Sequence, residues 1–404
     1  MAEYTYKARD AGGTLKTGAI QASSEANAAE LLAEHHLVLT HLAAKKEGGL
    51  DASKLLNVLS RVGMKDRVVF TRQLGTMIKS GLTIVQALHI LSEQTKNKKF
   101  KEIINDLSAS IESGTNFSTA LAKYPKLFDR VYINLVRSGE ASGQLEEIME
   151  RLATQQEKNY ELVRKVRGAM MYPAFVLIAM VGAAIVMMLV VIPPLETIFK
   201  DAGAKLPLPT QILIFGSHAL QSFWYLFILG AVGGAFGLRA FAHSEGGAKL
   251  LDRAKLRAPI FGPLFRKIYV ARMTRTLSSL IGGGVPILQS LDIVGESLGN
   301  TVYENALKEA AKEVEGGVPL SQPLRANPIF PPMVPQMVNV GEQTGKMDEV
   351  LDKLASFFED EVDNVVKNLS TLLEPLLMVV MGVGVGGLLV AIMMPIYNLG
   401  SVIQ

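Results

Sequence analysis

The chain has 404 residues, of which 41 are Lys or Arg and 38 are Asp or Glu, giving a formal net charge of +3. This small excess excludes a strongly basic nucleic-acid-binding protein, and the absence of cysteine excludes disulfides and thiolate metal sites. Apolar residues make up 49% and charged residues 20%, whereas soluble domains carry roughly 25% charged residues. The distribution of the apolar residues therefore decides the class of protein.

The N-terminal 44 residues differ from the rest of the chain and predict a small α+β domain. Two short strands are expected on either side of the turn Asp10-Ala11-Gly12-Gly13. Ser24 is expected to cap a helix from Glu25 to Glu34, and Leu37 to Leu42 is a candidate third strand before a linker over residues 45–64. Charged residues at the start of the chain argue against a cleavable signal peptide.

Three stretches without a charged residue cover residues 169–192, 219–238 and 375–397. Each is close to or above the roughly 20 apolar residues that a helix needs to cross the hydrocarbon core. We therefore predict three transmembrane helices, with an outer loop over residues 193–218 and an outer tail over residues 398–404. Buried helices of a large soluble protein are the weaker alternative.

Basic residues near the ends of these stretches predict the orientation in the membrane. Arg164, Lys165 and Arg167 come directly before the first stretch, and seven Lys or Arg residues follow the second between positions 239 and 267. The loop after the first stretch carries two basic residues, and the C-terminal tail carries none. This bias places the N-terminus and both charged regions in the cytoplasm, with the C-terminus outside.

Two parts of the chain resemble each other at a nearly constant offset. The sequence from Phe70 to Glu93 recurs 203 residues later, and beyond Pro125 the offset becomes 202. Identical pairs include Arg72 and Arg275, Gly81 and Gly284, Gly139 and Gly341, Glu140 and Glu342, Gly143 and Gly345, and Glu157 and Glu359. We therefore predict a cytoplasmic helical bundle over residues 65–168 and a second within residues 239–374, each continuing into a membrane span.

Capping residues and helical spacing predict six helices in each bundle. Asp66 is expected to cap the first helix from about Arg67, and Ser118 to cap the short fourth helix. Gly81 and its counterpart Gly284 are expected to end the first helix with a positive φ. The fold class is mainly α: a polytopic membrane protein with two repeated cytoplasmic six-helix bundles, three transmembrane helices and a small N-terminal α+β appendage.

The segments GEASGQL from Gly139 and GEQTGKM from Gly341 superficially resemble a phosphate-binding loop. The Walker A motif needs four residues between its glycines and a Ser or Thr after its lysine, and neither segment meets both conditions. We interpret them as turns between the fifth and sixth helices, in which Glu140 and Glu342 bond free amides at the next helix start. Contact with a partner is the alternative. No residue pattern predicts a catalytic group, a bound metal or a cofactor.

Taken together, the sequence resembles the type II secretion F / type IV pilus inner-membrane platform family over nearly its full length. The resemblance rests on FTRQLGTMIKSG with MTRTLSSLIGGG, GEASGQL with GEQTGKM, LPLPT at 206–210, and the membrane-entry motifs Met171-Tyr172-Pro173 and Leu373-Glu374-Pro375. It implies a non-enzymatic platform in the bacterial inner membrane that couples an ATPase to pilin extraction and polymerisation. The implied partners are a hexameric assembly ATPase, pilin or pseudopilin subunits, inner-membrane alignment proteins, membrane lipid and further copies of the chain.

The duplicated spans would also fit a small-molecule transporter or channel. Transporters usually place ionisable groups near the middle of the membrane, and the three uncharged stretches offer none. For the ATPase contact, we take Arg72, Arg275, Glu140 and Glu342 as candidates because we expect them on exposed polar faces. The sequence does not separate a type IV pilus from a type II secretion or DNA-uptake pseudopilus.

Overall fold

The computed structural model describes residues 2–9, 15–22, 25–34, 38–44, 62–201, 208–259 and 261–402. They divide into an N-terminal unit and a main unit that begins at Val62. In the N-terminal unit, strand β1 (Ala2–Arg9) lies between β2 (Leu15–Ala22) and β3 (Val38–Ala44), and pairs antiparallel with both.

Helix α1 (Glu25–Glu34) connects β2 to β3 in the N-terminal unit. Ala28 of α1 is fully buried and clusters with Ala22 at the end of β2. The turn predicted at Asp10–Gly13, the cap predicted at Ser24 and residues 45–61 of the predicted linker lie outside the described residues.

Six helices form the first bundle, which we call repeat one. They are α2 (Met64–Lys79), α3 (Ile84–Gln94), α4 (Lys98–Glu112), α5 (Phe117–Ala122), α6 (Arg130–Ser142) and α7 (Leu145–Val186). Helix α7 has 42 residues and runs from the bundle far into the first uncharged stretch, with Pro173 inside it. The predicted continuation of the sixth helix into the span is therefore confirmed.

The segment predicted as an outer loop over residues 193–218 is largely helical where it is described. A π-helical turn, Met187–Val191, leads from α7 into α8 (Ile192–Asp201), and α9 (Leu208–His243) begins ten residues before the predicted loop ends. Pro193 and Pro194 lack the amide hydrogen that an α-helix would use here, and a π turn is a common local adjustment to such a defect. Prolines are also tolerated in the first turn of a new helix, which explains why α8 starts here.

A short helix, α10 (Glu245–Arg257), precedes the second bundle. Repeat two then consists of α11 (Phe261–Gly282), α12 (Ile287–Ser297), α13 (Thr301–Glu315), α14 (Ser321–Ala326), α15 (Met333–Thr344) and α16 (Met347–Val402). These helices match α2 to α7 in order, so the prediction of two six-helix bundles is confirmed. Among the residues that the structure describes, three helical segments are long and apolar enough to cross a membrane, within residues 145–194, 210–243 and 347–391.

Two predicted helix caps are wrong. Helix α2 begins at Met64 with Gly63 as its N-cap, and Asp66 instead bonds back to the Gly63 amide at 3.1 Å from the third helical position. Helix α5 begins at Phe117, so Ser118 lies inside it, and the side chain of Asn116 at the N-cap position makes no capping hydrogen bond. The predicted positive φ is confirmed at Gly81 (86°) and Gly284 (79°).

Each repeat has an aromatic cluster in its core. In repeat one, Phe70 stacks edge-on against Phe100 with ring centroids 5.3 Å apart, and Phe128 lies 5.0 Å from Tyr132. In repeat two, Tyr303 takes the position of Phe100 and lies 5.9 Å from Phe330, the counterpart of Phe128. Contacts between buried aromatic rings contribute to the stability of each bundle core.

Candidate functional site

Glu140 on α6 binds the start of the short helix α5. Its two carboxylate oxygens accept hydrogen bonds from the backbone amides of Phe117, at 2.5 Å, and Ser118, at 3.1 Å. The first amides of a helix have no partner within the helix and carry a partial positive charge, so a carboxylate stabilises them. Both amides belong to residues that are almost fully buried, and water is therefore a poor substitute.

Glu342 makes the same arrangement in repeat two. It accepts hydrogen bonds from the amides of Leu320, at 2.5 Å, and Ser321, at 3.4 Å, and from the Ser321 hydroxyl at 2.6 Å. The prediction that Glu140 and Glu342 accept hydrogen bonds from free amides at a helix start is therefore confirmed. The prediction that this is the next helix in the chain is wrong. The bound helix is the short one that precedes the glutamate in the chain, because α5 and α14 pack alongside α6 and α15.

The glycines of the same segments allow the close contact between the fifth and sixth helices. A Cβ atom on Gly139 would lie 2.9 Å from Ile148 Cγ1, and one on Gly341 would lie 3.1 Å from the Cα atom of Met347. Gly143 and Gly345 end the fifth helix, each with φ of 70°. The geometry therefore gives these segments a structural role in each bundle.

Arg72 on α2 joins the first helix of repeat one to the sixth. Its Nε and Nη2 atoms donate to the carboxylate of Glu157, its Nη1 atom donates to Glu150 at 2.6 Å, and Nη2 also donates to Thr154 at 3.3 Å. The hydrogen bonds with Arg72 lower the pKa of Glu157 and outweigh the opposing effect of burial. This two-point contact between guanidinium and carboxylate fixes the angle between α2 and α7.

Arg275 repeats this cluster residue for residue between α11 and α16. It donates to Glu359 at 2.8 and 3.0 Å and to the Ser356 hydroxyl at 3.0 Å, and it forms an ion pair with Asp352. Burial opposes the charge of Arg275, but hydrogen bonds and charge from Glu359 and Asp352 raise its pKa above the ordinary value.

The expectation that Arg275 lies on an exposed polar face is wrong. The Arg275 side chain is 9% exposed and that of Glu359 is 11% exposed, whereas Arg72 and Glu157 are 32% and 37% exposed. Repeat one covers this part of repeat two, and Lys158 of α7 brings its Nζ atom to 3.8 Å from Glu359. The sequence comparison identified the arginine and Glu157 but missed Glu150 and Thr154, although the same offset of 202 relates them to Asp352 and Ser356.

The two repeats meet at one interface, which we call the repeat interface, between α6 and α7 of repeat one and α11, α12 and α16 of repeat two. Besides the pair Lys158 and Glu359, its polar contacts join Ser138 to the Gly283 carbonyl (2.6 Å), Gln155 to Thr276 (3.2 Å), Asn134 to Gln289 (3.3 Å), Arg130 to Glu296, and Lys165 to Asp363. A Cβ atom on Gly283 would lie 2.7 Å from Leu135 and 2.9 Å from Ile148. The side chains of Leu135 and Ile148 would therefore have to shift to admit a larger residue at this position, whose counterpart in repeat one is Ser80.

The repeat interface joins non-equivalent faces of the two bundles. The face of repeat two that corresponds to the contacting face of repeat one is not used in this interface, and the same holds for the corresponding face of repeat one. In repeat two, the counterparts of Ser138 and Gln155 are Val340 and Phe357, whose side chains are 45% and 42% exposed. In repeat one, the exposed Gln86, Glu93 and Glu161 match the interface residues Gln289, Glu296 and Asp363.

The membrane-entry residues lie on the two long helices. Pro173 is buried inside α7 next to the exposed Tyr172, whereas Glu374 and Pro375 are both exposed on α16. In the described residues, no group of three His, Asp or Glu side chains is placed to hold a metal ion.

Comparisons with known proteins identify both family models and individual proteins that this chain resembles. The family model described as type II secretion system protein F matches twice, over residues 70–193 and 273–395, and the model for the N-terminal domain of that protein matches residues 1–43. The type IV pilus assembly protein PilC of Thermus thermophilus is 42% identical over 99% of this chain and 98% of its own length. That of Myxococcus xanthus is 38% identical over 100% and 96%. The type II secretion system protein F of Xanthomonas campestris is 32% identical over the full length of both chains.

Proposed function

Because the chain belongs to the type II secretion system protein F family, we propose that it is the inner-membrane platform of a type IV pilus machine. Two relatives named for pilus assembly are 38% and 42% identical to it, compared with 32% for a relative named for type II secretion. This difference supports a pilus rather than a secretion pseudopilus.

The observation that carries the mechanism is the continuity between each bundle and its span. Helix α16 has 56 residues and extends from the bundle core through the third uncharged stretch, and the 42-residue helix α7 runs from its bundle core into the first stretch as far as Val186. An α-helix rises 1.5 Å per residue and acts as a semi-rigid spacer. A push or rotation applied to a bundle would therefore reach the membrane as movement of the span.

We infer that a hexameric assembly ATPase acts on the bundles, and that pilin subunits and inner-membrane alignment proteins meet the spans. Arg72 and Glu140 are less suited to binding the ATPase than the sequence suggested, because both are engaged within the bundle. ATP-driven movement would then lift pilins out of the bilayer for polymerisation.

This coupling is tested by making α16 flexible at the junction between the second bundle and its membrane span. Seven Gly and Ser residues inserted after Thr371 of α16 should abolish surface pili while the protein still co-purifies with the ATPase. The matched control is an insertion of seven Ala, Glu and Lys residues at the same point. It adds about two helical turns with a drift of about 20°, and we expect it to retain pili. Normal piliation with the flexible insertion would contradict coupling through α16, and failure of the unmodified chain to bind the ATPase would contradict the partner.

The distribution of basic residues supports an orientation with both bundles in the cytoplasm. Since the chain has no cysteine, the orientation can be measured by introducing single cysteines and labelling them with a membrane-impermeant maleimide. We expect labelling of intact spheroplasts at Thr197→Cys on α8 and none at Ser113→Cys after α4. The opposite pattern would contradict the orientation.

Self-association is supported by the one-sided contact between the repeats. Because the two repeats contact each other through non-equivalent faces, each chain keeps one face of each kind for contact with other copies. The same contact made from copy to copy would build a ring or a filament. We propose that the face with Val340 and Phe357 packs on the face with Gln86, Glu93 and Glu161 of a second copy.

Phe357→Gln gives repeat two the residue found at the matching position of repeat one. We expect this variant to shift the detergent-solubilised full chain towards smaller species in mass photometry, because the exposed apolar contact is lost. Leu250→Gln, at an exposed apolar residue of α10, is the control and should leave the distribution unchanged. An unaltered distribution in the double variant Val340→Ser, Phe357→Gln would contradict this interface.

A further inference from the structure

A cavity of about 340 Å³ lies between α2, α7 and α11, next to the start of the first uncharged stretch. Arg67, Arg167 and Arg272 line it, one from each helix, with a single carboxylate, that of Asp129. The rest of the wall is mostly apolar and includes Met170, the second residue of the uncharged stretch. The cavity therefore combines a cationic part with an apolar part at the expected edge of the membrane.

The single carboxylate of Asp129 compensates only part of the positive charge that the three arginines bring to this cavity. Arg67 donates from Nη1 to the Leu127 carbonyl at 2.8 Å, but its Nε atom is buried and has no partner. Arg272 makes no hydrogen bond or ion pair with any described residue, and burial lowers its pKa below the ordinary value, against the attraction of Asp129. Asp129 itself accepts from the Tyr132 amide at 2.9 Å to cap α6.

The three arginines are not part of the repeated fold. At the matching positions of the other repeat stand Val270 for Arg67, Val69 for Arg272 and Leu369 for Arg167. The bundle therefore forms with an apolar residue at each of these places. A half-buried guanidinium without a hydrogen-bond partner, as at Arg272, carries a desolvation cost, and the cost is offset when an anion binds.

We propose that this cavity binds the phosphate group of an anionic phospholipid. The planar guanidinium matches phosphate oxygens with paired hydrogen bonds, and three such groups converge here. A second cavity of about 490 Å³, lined by apolar side chains and Lys255, shares Val166 and Met170 with the first. It offers a place for the lipid's acyl chain, which a soluble phosphate compound would not need. The lipid would fasten both repeats to the inner surface of the bilayer at the point where α7 enters it.

The experiment measures thermal stability of the full chain in detergent as lipid is added. Phosphatidylglycerol should raise the melting temperature, and phosphatidylcholine should raise it much less. Arg272→Gln and Arg67→Gln should each weaken the apparent affinity for phosphatidylglycerol by about tenfold, since each removes a charge-assisted contact. Arg325→Gln, at an exposed arginine of α14, is the matched control and should bind normally. Arg167→Gln at the exposed mouth provides a second test if the variants at the half-buried Arg67 and Arg272 fold poorly.

The same measurement is repeated with inorganic phosphate or ATP added to the chain in lipid-free detergent, and neither should change the melting temperature. Native mass spectrometry should detect a retained phospholipid on the unmodified chain and less of it on Arg272→Gln. Stabilisation by inorganic phosphate equal to that by phosphatidylglycerol would overturn the lipid assignment. Equal affinity of the unmodified chain and all three arginine variants would overturn the site.

Discussion

Replacing Arg275 by alanine is expected to lower the free energy of unfolding of the bundles by about 3–5 kcal/mol. The change leaves Glu359, which is 11% exposed, with only the Lys158 ammonium 3.8 Å away. An ionised carboxylate that is buried without hydrogen-bond donors is strongly destabilising, because its hydration is lost and not replaced. Chemical denaturation of the full chain in detergent, followed by helical circular dichroism, measures the change.

Arg72→Ala is the matched control, because the same cluster in repeat one is about one-third exposed. Solvent screens such a pair, and we expect a loss of about 1 kcal/mol. The double variant Arg275→Met, Glu359→Leu should recover most of the lost stability, since apolar residues of similar volume can replace a buried ion pair. Equal losses at Arg72 and Arg275 would show that burial by repeat one does not control the energetics of this cluster.

The internal repeat predicted much of the architecture, because a residue pattern that occurs in both copies is less subject to chance than a pattern that occurs once. An offset of 203 and then 202 placed Arg72 opposite Arg275 and Glu140 opposite Glu342 before any contact was known. The helix ends at Gly81 and Gly284 followed from the need for positive φ, which is a local property of the chain. Such local rules, and the length of the uncharged stretches, do not depend on how the bundles pack.

The features that the sequence did not predict depend on packing between distant segments. Arg72 and Arg275 are identical in type and motif, yet Arg72 is about one-third exposed and Arg275 is buried. Repeat one covers Arg275, whereas repeat two does not cover Arg72. Gly283 gave no signal in the sequence, since its role is to admit Leu135 and Ile148 from 135 residues or more away. The cap of α5 was misassigned because the partner of the Ser118 amide, Glu140, lies on another helix.

Glu342→Ala is expected to cost about 2–3 kcal/mol of folding stability, through the start of α14. The change removes the acceptor for the amides of Leu320 and Ser321, whose residues are 1% and 3% exposed, and for the Ser321 hydroxyl. Buried donors that lose their acceptor retain the full cost of leaving water. Glu140→Ala is the matched comparison and should cost less, because Glu140 accepts from two amides and from no hydroxyl.

Glu342→Gln separates the charge of this carboxylate from its hydrogen bonds. The glutamine keeps one oxygen acceptor but loses the negative charge near the positive end of α14, so its cost should lie between zero and that of the alanine variant. Hydrogen exchange at Leu320 and Ser321 locates the effect, since both amides should exchange faster in Glu342→Ala while the amides of Phe117 and Ser118 are unchanged. Faster exchange spread evenly over both repeats would contradict a local role for Glu342 and would indicate that the motif stabilises the two bundles as one cooperative unit.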